Sequence, residues 1–91
     1  MELEKGQKVV IKFSIHSVRN VSIPCPIKWF EEDRIALVFP ENAQKYIKDL
    51  PEGREVEAVL YTNSGIFIFN SIIINSPLEH DFVIELPVEK Q

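Results

Sequence analysis

Period-two alternation of apolar and polar side chains runs through almost every segment of this chain, and no other feature restricts its fold so strongly. In Lys8-Val9-Val10-Ile11-Lys12-Phe13-Ser14-Ile15, the residues Val9, Ile11, Phe13 and Ile15 share one side, with Lys8, Lys12 and Ser14 on the other. Successive side chains of a strand point to opposite faces, so this spacing predicts a strand with one buried face. A strand starting at Cys25 places Ile27 and Trp29 together, and a return strand from Arg34 aligns Ile35, Leu37 and Phe39. The acidic stretch Glu31-Glu32-Asp33-Arg34 between them reads as a hairpin connection. From Arg54 to Thr62, Val56, Ala58 and Leu60 oppose Glu55 and Glu57. The turn residues Thr62-Asn63-Ser64-Gly65 lead into a fifth strand. After a turn containing Pro77, a sixth aligns Phe82, Ile84 and Leu86.

One segment departs from this rhythm. Ala43, Tyr46, Ile47 and Leu50 recur at helical spacing, after Pro40 and before the stop signals Pro51 and Gly53. They predict a short helix at about Ala43–Leu50 that plugs an end of the sheet. Six short strands with close turns and one helix in a 91-residue chain predict a single domain. Its expected fold is a small six-stranded antiparallel β-barrel, whose closure removes exposed edges.

The fifth strand, Gly65-Ile66-Phe67-Ile68-Phe69-Asn70-Ser71-Ile72-Ile73-Ile74, is apolar on both parities. Ile66, Ile68, Ile72 and Ile74 fall on one, and Phe67, Phe69 and Ile73 on the other. Asn70-Ser71 marks the expected place of a bulge or a sharp bend. The second apolar face requires a cover: the helix, a following domain or a second copy of the chain. It is an argument for association and none for catalysis.

Net charge is −4 and no lysine or arginine run occurs, which argues against a nucleic-acid or anionic-lipid partner. The single Cys25 permits no internal disulfide, and no apolar run approaches the about 20 residues of a membrane helix. A cytoplasmic location is therefore expected. No phosphate-cradling glycine loop, nucleophile elbow or metal-ligand spacing is present; His16, His80 and Cys25 are scattered. No catalytic, cofactor or metal residue is predicted, and the chain is not expected to be an enzyme.

Cys25, between Pro24 and Pro26, reads as a small residue where a strand starts late, and no basic neighbour argues for a reactive thiolate. Glu31-Glu32-Asp33 and His80 read as solvated turns. Lys8, Lys12 and His16 form a basic stripe on the outward side of the first strand. It serves either to dock an acidic partner or to protect an edge strand with lysines. Val59 and Tyr61 lie opposite the core positions of their strand. With Phe67 and Phe69 they complete a candidate partner-facing surface.

Across the whole chain the order of signals resembles the PilZN domain, the N-terminal domain of flagellar-brake (YcgR-type) proteins. Leu3, Gly6 and Gln7 match its L-x-x-G-Q start, and an apolar strand closes at Pro40. Leu50, Gly53, Val56 and Ala58 match its strand entry, Gly65–Phe69 its "g-x-y-x-F", and the last strand ends on Pro87. The resemblance implies an all-β fold with one short helix, a six-stranded antiparallel split β-barrel, and a non-enzymatic regulatory role in cyclic di-GMP signalling and motility. It would contact a PilZ domain in cis or in trans, a flagellar motor or another effector, or form a homodimer. In that family an R-x-x-x-R segment just after this domain grips the nucleotide, whereas this sequence runs out at Val88-Glu89-Lys90-Gln91. Arg19, Arg34 and Arg54 are far apart. Asn20-Val21-Ser22 resembles the start of the [DN]-x-S-x-x-G motif, but Cys25 stands where the glycine would be. The chain alone is therefore not expected to bind cyclic di-GMP. Two alternatives stand beside this reading. One is a flavin- or other small-ligand-binding split barrel. The other is a small-barrel nucleic-acid binder that stacks bases on Trp29, Phe30 and Tyr61.

Overall fold

The computed structural model describes residues 2–78 and 81–87. Its strands are β1 (Lys8–Ile15), β2 (Arg19–Phe30), β3 (Arg34–Leu37), β4 (Glu55–Thr62), β5 (Gly65–Asn75) and β6 (Phe82–Glu85). All neighbours are antiparallel, and the sheet closes into a barrel in the order β1-β2-β3-β6-β5-β4. This is the six-stranded barrel that the alternation predicts. Inward-facing residues of all six strands fill it: Val9 and Ile11, Ile23 and Cys25, Ile35 and Leu37, Ala58 and Leu60, Ile73, and Phe82 and Ile84 are all buried. No helix of the described residues is long and apolar enough to cross a membrane.

β2 is much longer than a strand starting at Cys25. Its first half pairs with β1 over Arg19–Pro26, so Asn20-Val21-Ser22 lies inside a regular ladder. Two prolines are tolerated there because of where their nitrogens point. The Ile27 N–H donates to the Gln7 carbonyl at 2.9 Å, so odd-numbered residues of β2 face β1. Pro24 and Pro26 therefore direct their nitrogens away from β1 and remove no bond from that ladder. The Pro26 carbonyl instead accepts from the Val38 N–H at 2.9 Å.

The helix spans Glu41–Asp49 and is 3₁₀, with Leu50 just beyond it. Ala43 N–H to Pro40 (3.1 Å) and Leu50 N–H to Ile47 (3.0 Å) are the i→i−3 bonds of that tighter winding. Ala43 and Leu50 enter the core, and Tyr46 meets Phe13 edge-on with ring centroids 6.0 Å apart. The helix thus closes one barrel end and leaves the outer face of β5 exposed.

β5 changes neighbours along its length. Gly65–Ile72 pairs with β4 without interruption, and β6 is reached only at Ile73 and Asn75. The register shift falls between Ile73 and Asn75, where the strand changes partner, and not at Asn70-Ser71. Ser71 is buried, with its hydroxyl donating to the Glu85 carbonyl at 2.6 Å.

The seam between β1 and β4 is short: only Val9–Lys12 pair with Leu60–Glu57. Arg54 holds the strands where they diverge. Its guanidinium donates to the Ser14 carbonyl at 2.6 Å and to the Asp49 carbonyl, and lies 5.0 Å from the Phe13 ring centroid. At the other end of the seam, the Gln7 side-chain amide donates to the Tyr61 carbonyl at 2.8 Å.

Candidate interaction surface

The register of β2, β1, β4 and β5 fixes which side chains stand side by side on the outside. Pro24 lies opposite Val10, Val10 opposite Val59, and Val59 opposite Ile68. In the row beside it Pro26 lies opposite Lys8, and Tyr61 opposite Ile66, with the Lys8 ammonium 4.5 Å from the Tyr61 ring centroid. These rows make a continuous apolar area across four strands, bordered by Lys8 and Lys12. Ile66 and Ile68 are 60% and 65% exposed. Exposed apolar residues that adjoin in this way mark an interaction surface, whereas scattered ones do not.

The residues singled out from sequence divide on this map. Lys8, Lys12 and Tyr61 stand on the outer face as expected from their parity, and all three are exposed. β1 is no edge strand, because barrel closure sets it between β2 and β4. His16 leaves the stripe: it lies past the end of β1 with φ 53, and Ser17 follows at φ 59. The Val18 N–H closes this turn on the Ile15 carbonyl at 3.2 Å. Two positive φ values match the strand twist at such a turn, and they carry His16 away from the lysines. Val59 has outward parity yet is buried, walled in by Val10 and Ile68.

Phe67 and Phe69 point the other way. They pair with the core residues Leu60 and Ala58, and side chains directly opposite one another share a face. Phe69 packs against the core, while Phe67, near the hairpin end, remains 40% exposed. The isoleucines of β5, not its phenylalanines, form the outer face. Pro24, Pro26, Val10, Ile66 and Ile68 were missing from the sequence-based surface. The prolines two residues apart were the available signal, since both must share a face if Cys25 is in the strand. His80 and Glu79 lie outside the described residues.

Other chemistry-bearing groups have structural partners. Trp29 is half-buried and donates its indole N–H to an Asp81 carboxylate oxygen at 3.0 Å, while Lys28 meets the other oxygen at 2.6 Å. That leaves Phe30 and Tyr61 as the exposed rings of the proposed stacking set. Glu31, Glu32 and Asp33 are exposed; a hydrogen bond from Arg34 holds the Asp33 carboxyl below its usual range. A groove beside the β1–β4 seam is lined by Lys12, Ser14, Glu55, Glu57, Asn70 and Glu85, which mix both charges. Among the described residues no His, Cys, Asp and Glu group is placed to hold a metal ion.

Cys25 is fully buried in the middle of β2 and not at its start. Burial pushes its thiol from 9.0 up to about 12. The unfolded chain releases this proton near pH 9 while the folded chain retains it, so the thiol's contribution to stability is complete below pH 9. It is lost as pH rises toward 12, by up to about 1.4 kcal/mol per pH unit. Denaturant titrations across that range should show a steeper alkaline loss for the natural chain than for Cys25→Ala. Equal slopes would contradict the assignment.

No family model, curated protein or solved structure matches this chain.

Proposed function

We propose that this domain is a non-enzymatic interaction module that docks a protein partner on the outer face of β2, β1, β4 and β5. The observation that carries the reading is the unbroken apolar row Pro24–Val10–Val59–Ile68 with Tyr61 and Ile66 beside it. The surface suits a partner that offers apolar side chains at its centre and carboxylates toward Lys8 and Lys12, since complementary charge orients an encounter. The resemblance to PilZN domains supplies the partner class: a PilZ domain, in cis or in trans, within a cyclic di-GMP-responsive motility protein. The nucleotide belongs to that partner in this reading, and the module passes on its rearrangement through differential contact in the two states.

Two titrations test it. Calorimetry of the isolated chain with cyclic di-GMP should give no binding heat, and micromolar binding would overturn the division of labour. A flagellar-brake PilZ domain added in trans should bind, with affinity lowered about tenfold or more by Val10→Glu, a change of about 1.4 kcal/mol or more. Absence of binding with and without nucleotide would remove this partner class.

A further inference from the structure

We propose that two copies of this chain pair through the outer edge of β5, antiparallel, with Phe67 opposite the partner's Phe67. This uses the backbone edge of β5, which borders the face centred on Val10 and shares Ile66 and Ile68 with it, and it does not rest on the docking of a PilZ domain.

The argument starts from backbone polarity. Ile73 turns its N–H and C=O toward the start of β4, receiving from Gly53 at 2.8 Å and donating to Arg54 at 2.9 Å. Backbone groups alternate sides along a strand, and the β4–β5 register is unbroken from Ile72 to Gly65. Ile66 and Ile68 therefore direct their N–H and C=O groups away from β4. Among the described residues no strand meets that edge before β6 pairs at Ile73.

Such an edge invites another strand, and natural sheets protect theirs with lysine, proline or a bulge. This one has none of them. Every side chain from Thr62 to Leu78 is non-ionisable, in a chain of net charge −4. Both faces are apolar and open near the edge: Ile66 60%, Phe67 40% and Ile68 65% exposed. A partner recognised by charge would find nothing to pair with here. An identical edge would, because two uncharged segments meet without the repulsion that the rest of each acidic chain would impose.

The register follows from the geometry. Hydrogen-bonded pairs must be the residues whose groups face outward, which places Ile66 opposite the partner's Ile68 and the reverse. Phe67 then sits on the two-fold axis in a non-hydrogen-bonded pair, where side chains approach most closely. On the outer face the row Tyr61–Ile66 continues into the second copy's Ile68–Val59. On the other face Phe67 meets its own counterpart beside Leu60, covering both exposed surfaces of the strand at once.

Phe67→Cys and Ile72→Cys provide the test, because both parent residues are 40% exposed but only Phe67 lies on the axis. Under mild oxidation by diamide, Phe67→Cys should form a covalent dimer about tenfold or more faster than Ile72→Cys, since reach and not exposure sets the rate. Sedimentation of the natural chain should show dimer, and Ile68→Lys should give a folded monomer by circular dichroism. Val10→Glu, which impairs partner docking, should leave the dimer intact. Equal cross-linking rates, or a natural chain that stays monomeric at about 100 μM, would overturn the proposal; a pairing weaker than that is below about 5 kcal/mol. A dimer that appears only after the chain is cut at Pro87 would also overturn it, by assigning the edge to the chain's own last residues.

Discussion

Phe82→Ala is expected to destabilise the fold by about 3–5 kcal/mol, the range for removing a large aromatic side chain from a packed interior. Phe82 is 1% exposed and stands opposite Leu37 in the β3–β6 ladder. Its ring meets Phe39 edge-on at 5.7 Å. The cavity would lie in the barrel interior beside β3 and β6, its shortest strands. A domain of this size has about 5–10 kcal/mol of total stability, so the variant should lose a large fraction of it. Urea unfolding monitored by far-ultraviolet circular dichroism should show the midpoint displaced with the denaturant slope kept. A loss below about 1 kcal/mol would mean that Phe82 is not packed as described.

Arg54→Ala is expected to cost about 2–3 kcal/mol, although a substitution at a partly exposed arginine is ordinarily near neutral. The difference lies in what the guanidinium joins. It donates to carbonyls on two separate segments, Ser14 and Asp49, across the place where β1 and β4 have parted, and covers the Phe13 ring. Deleting it leaves the part-buried Asp49 carbonyl without this donor and releases Ser14 where the β1–β4 pairing has ended. Arg54→Lys should recover only part of the loss, since a single ammonium cannot span both acceptors with a planar fork. Hydrogen exchange should locate the effect at the ends of β1 and β4. Uniform deprotection across all six strands would argue against a local seam.

These two positions also show how unevenly the structure can be read from sequence. Phe82 was assigned to the core by alternation with Ile84 and Leu86, a local signal that a strand cannot avoid displaying. Arg54 carried no such signal: it stands at a strand entry, and its value depends on joining the nearby Asp49 carbonyl to that of Ser14, 40 residues away in the chain. The motif residues combine local reasons with distant ones. Gly6 and Gly53 adopt φ 85 and 88, which glycine tolerates best, and Leu3 and Leu50 pack into the barrel ends. Gln7 folds back on the Glu4 N–H and reaches Tyr61.

The candidate surface was legible only in part, and the β5 strand shows why. Period two states that Ile66 and Ile68 face opposite to Phe67 and Phe69, but it cannot say which set faces the core when both are apolar. That choice rests on pairing with β4, where Phe67 falls beside Leu60 and Phe69 beside Ala58. The helix was likewise evident from its stripe, whereas its 3₁₀ winding and its distance from β5 were not. Pro24 and Pro26 concealed the first half of β2, since a proline disrupts a strand only if its nitrogen faces a paired neighbour.

From the sequence alone came the barrel class, the strand set apart from the start of β2, and most of the core, because alternation and turn residues are local properties of the chain. Tertiary structure alone decided which face of β5 looks outward, that Val59 is walled in and His16 turned away, and that one edge of β5 stays open among the described residues. Those outcomes depend on register and closure, which are set by contacts between segments far apart in the chain and leave no periodic trace in any one of them.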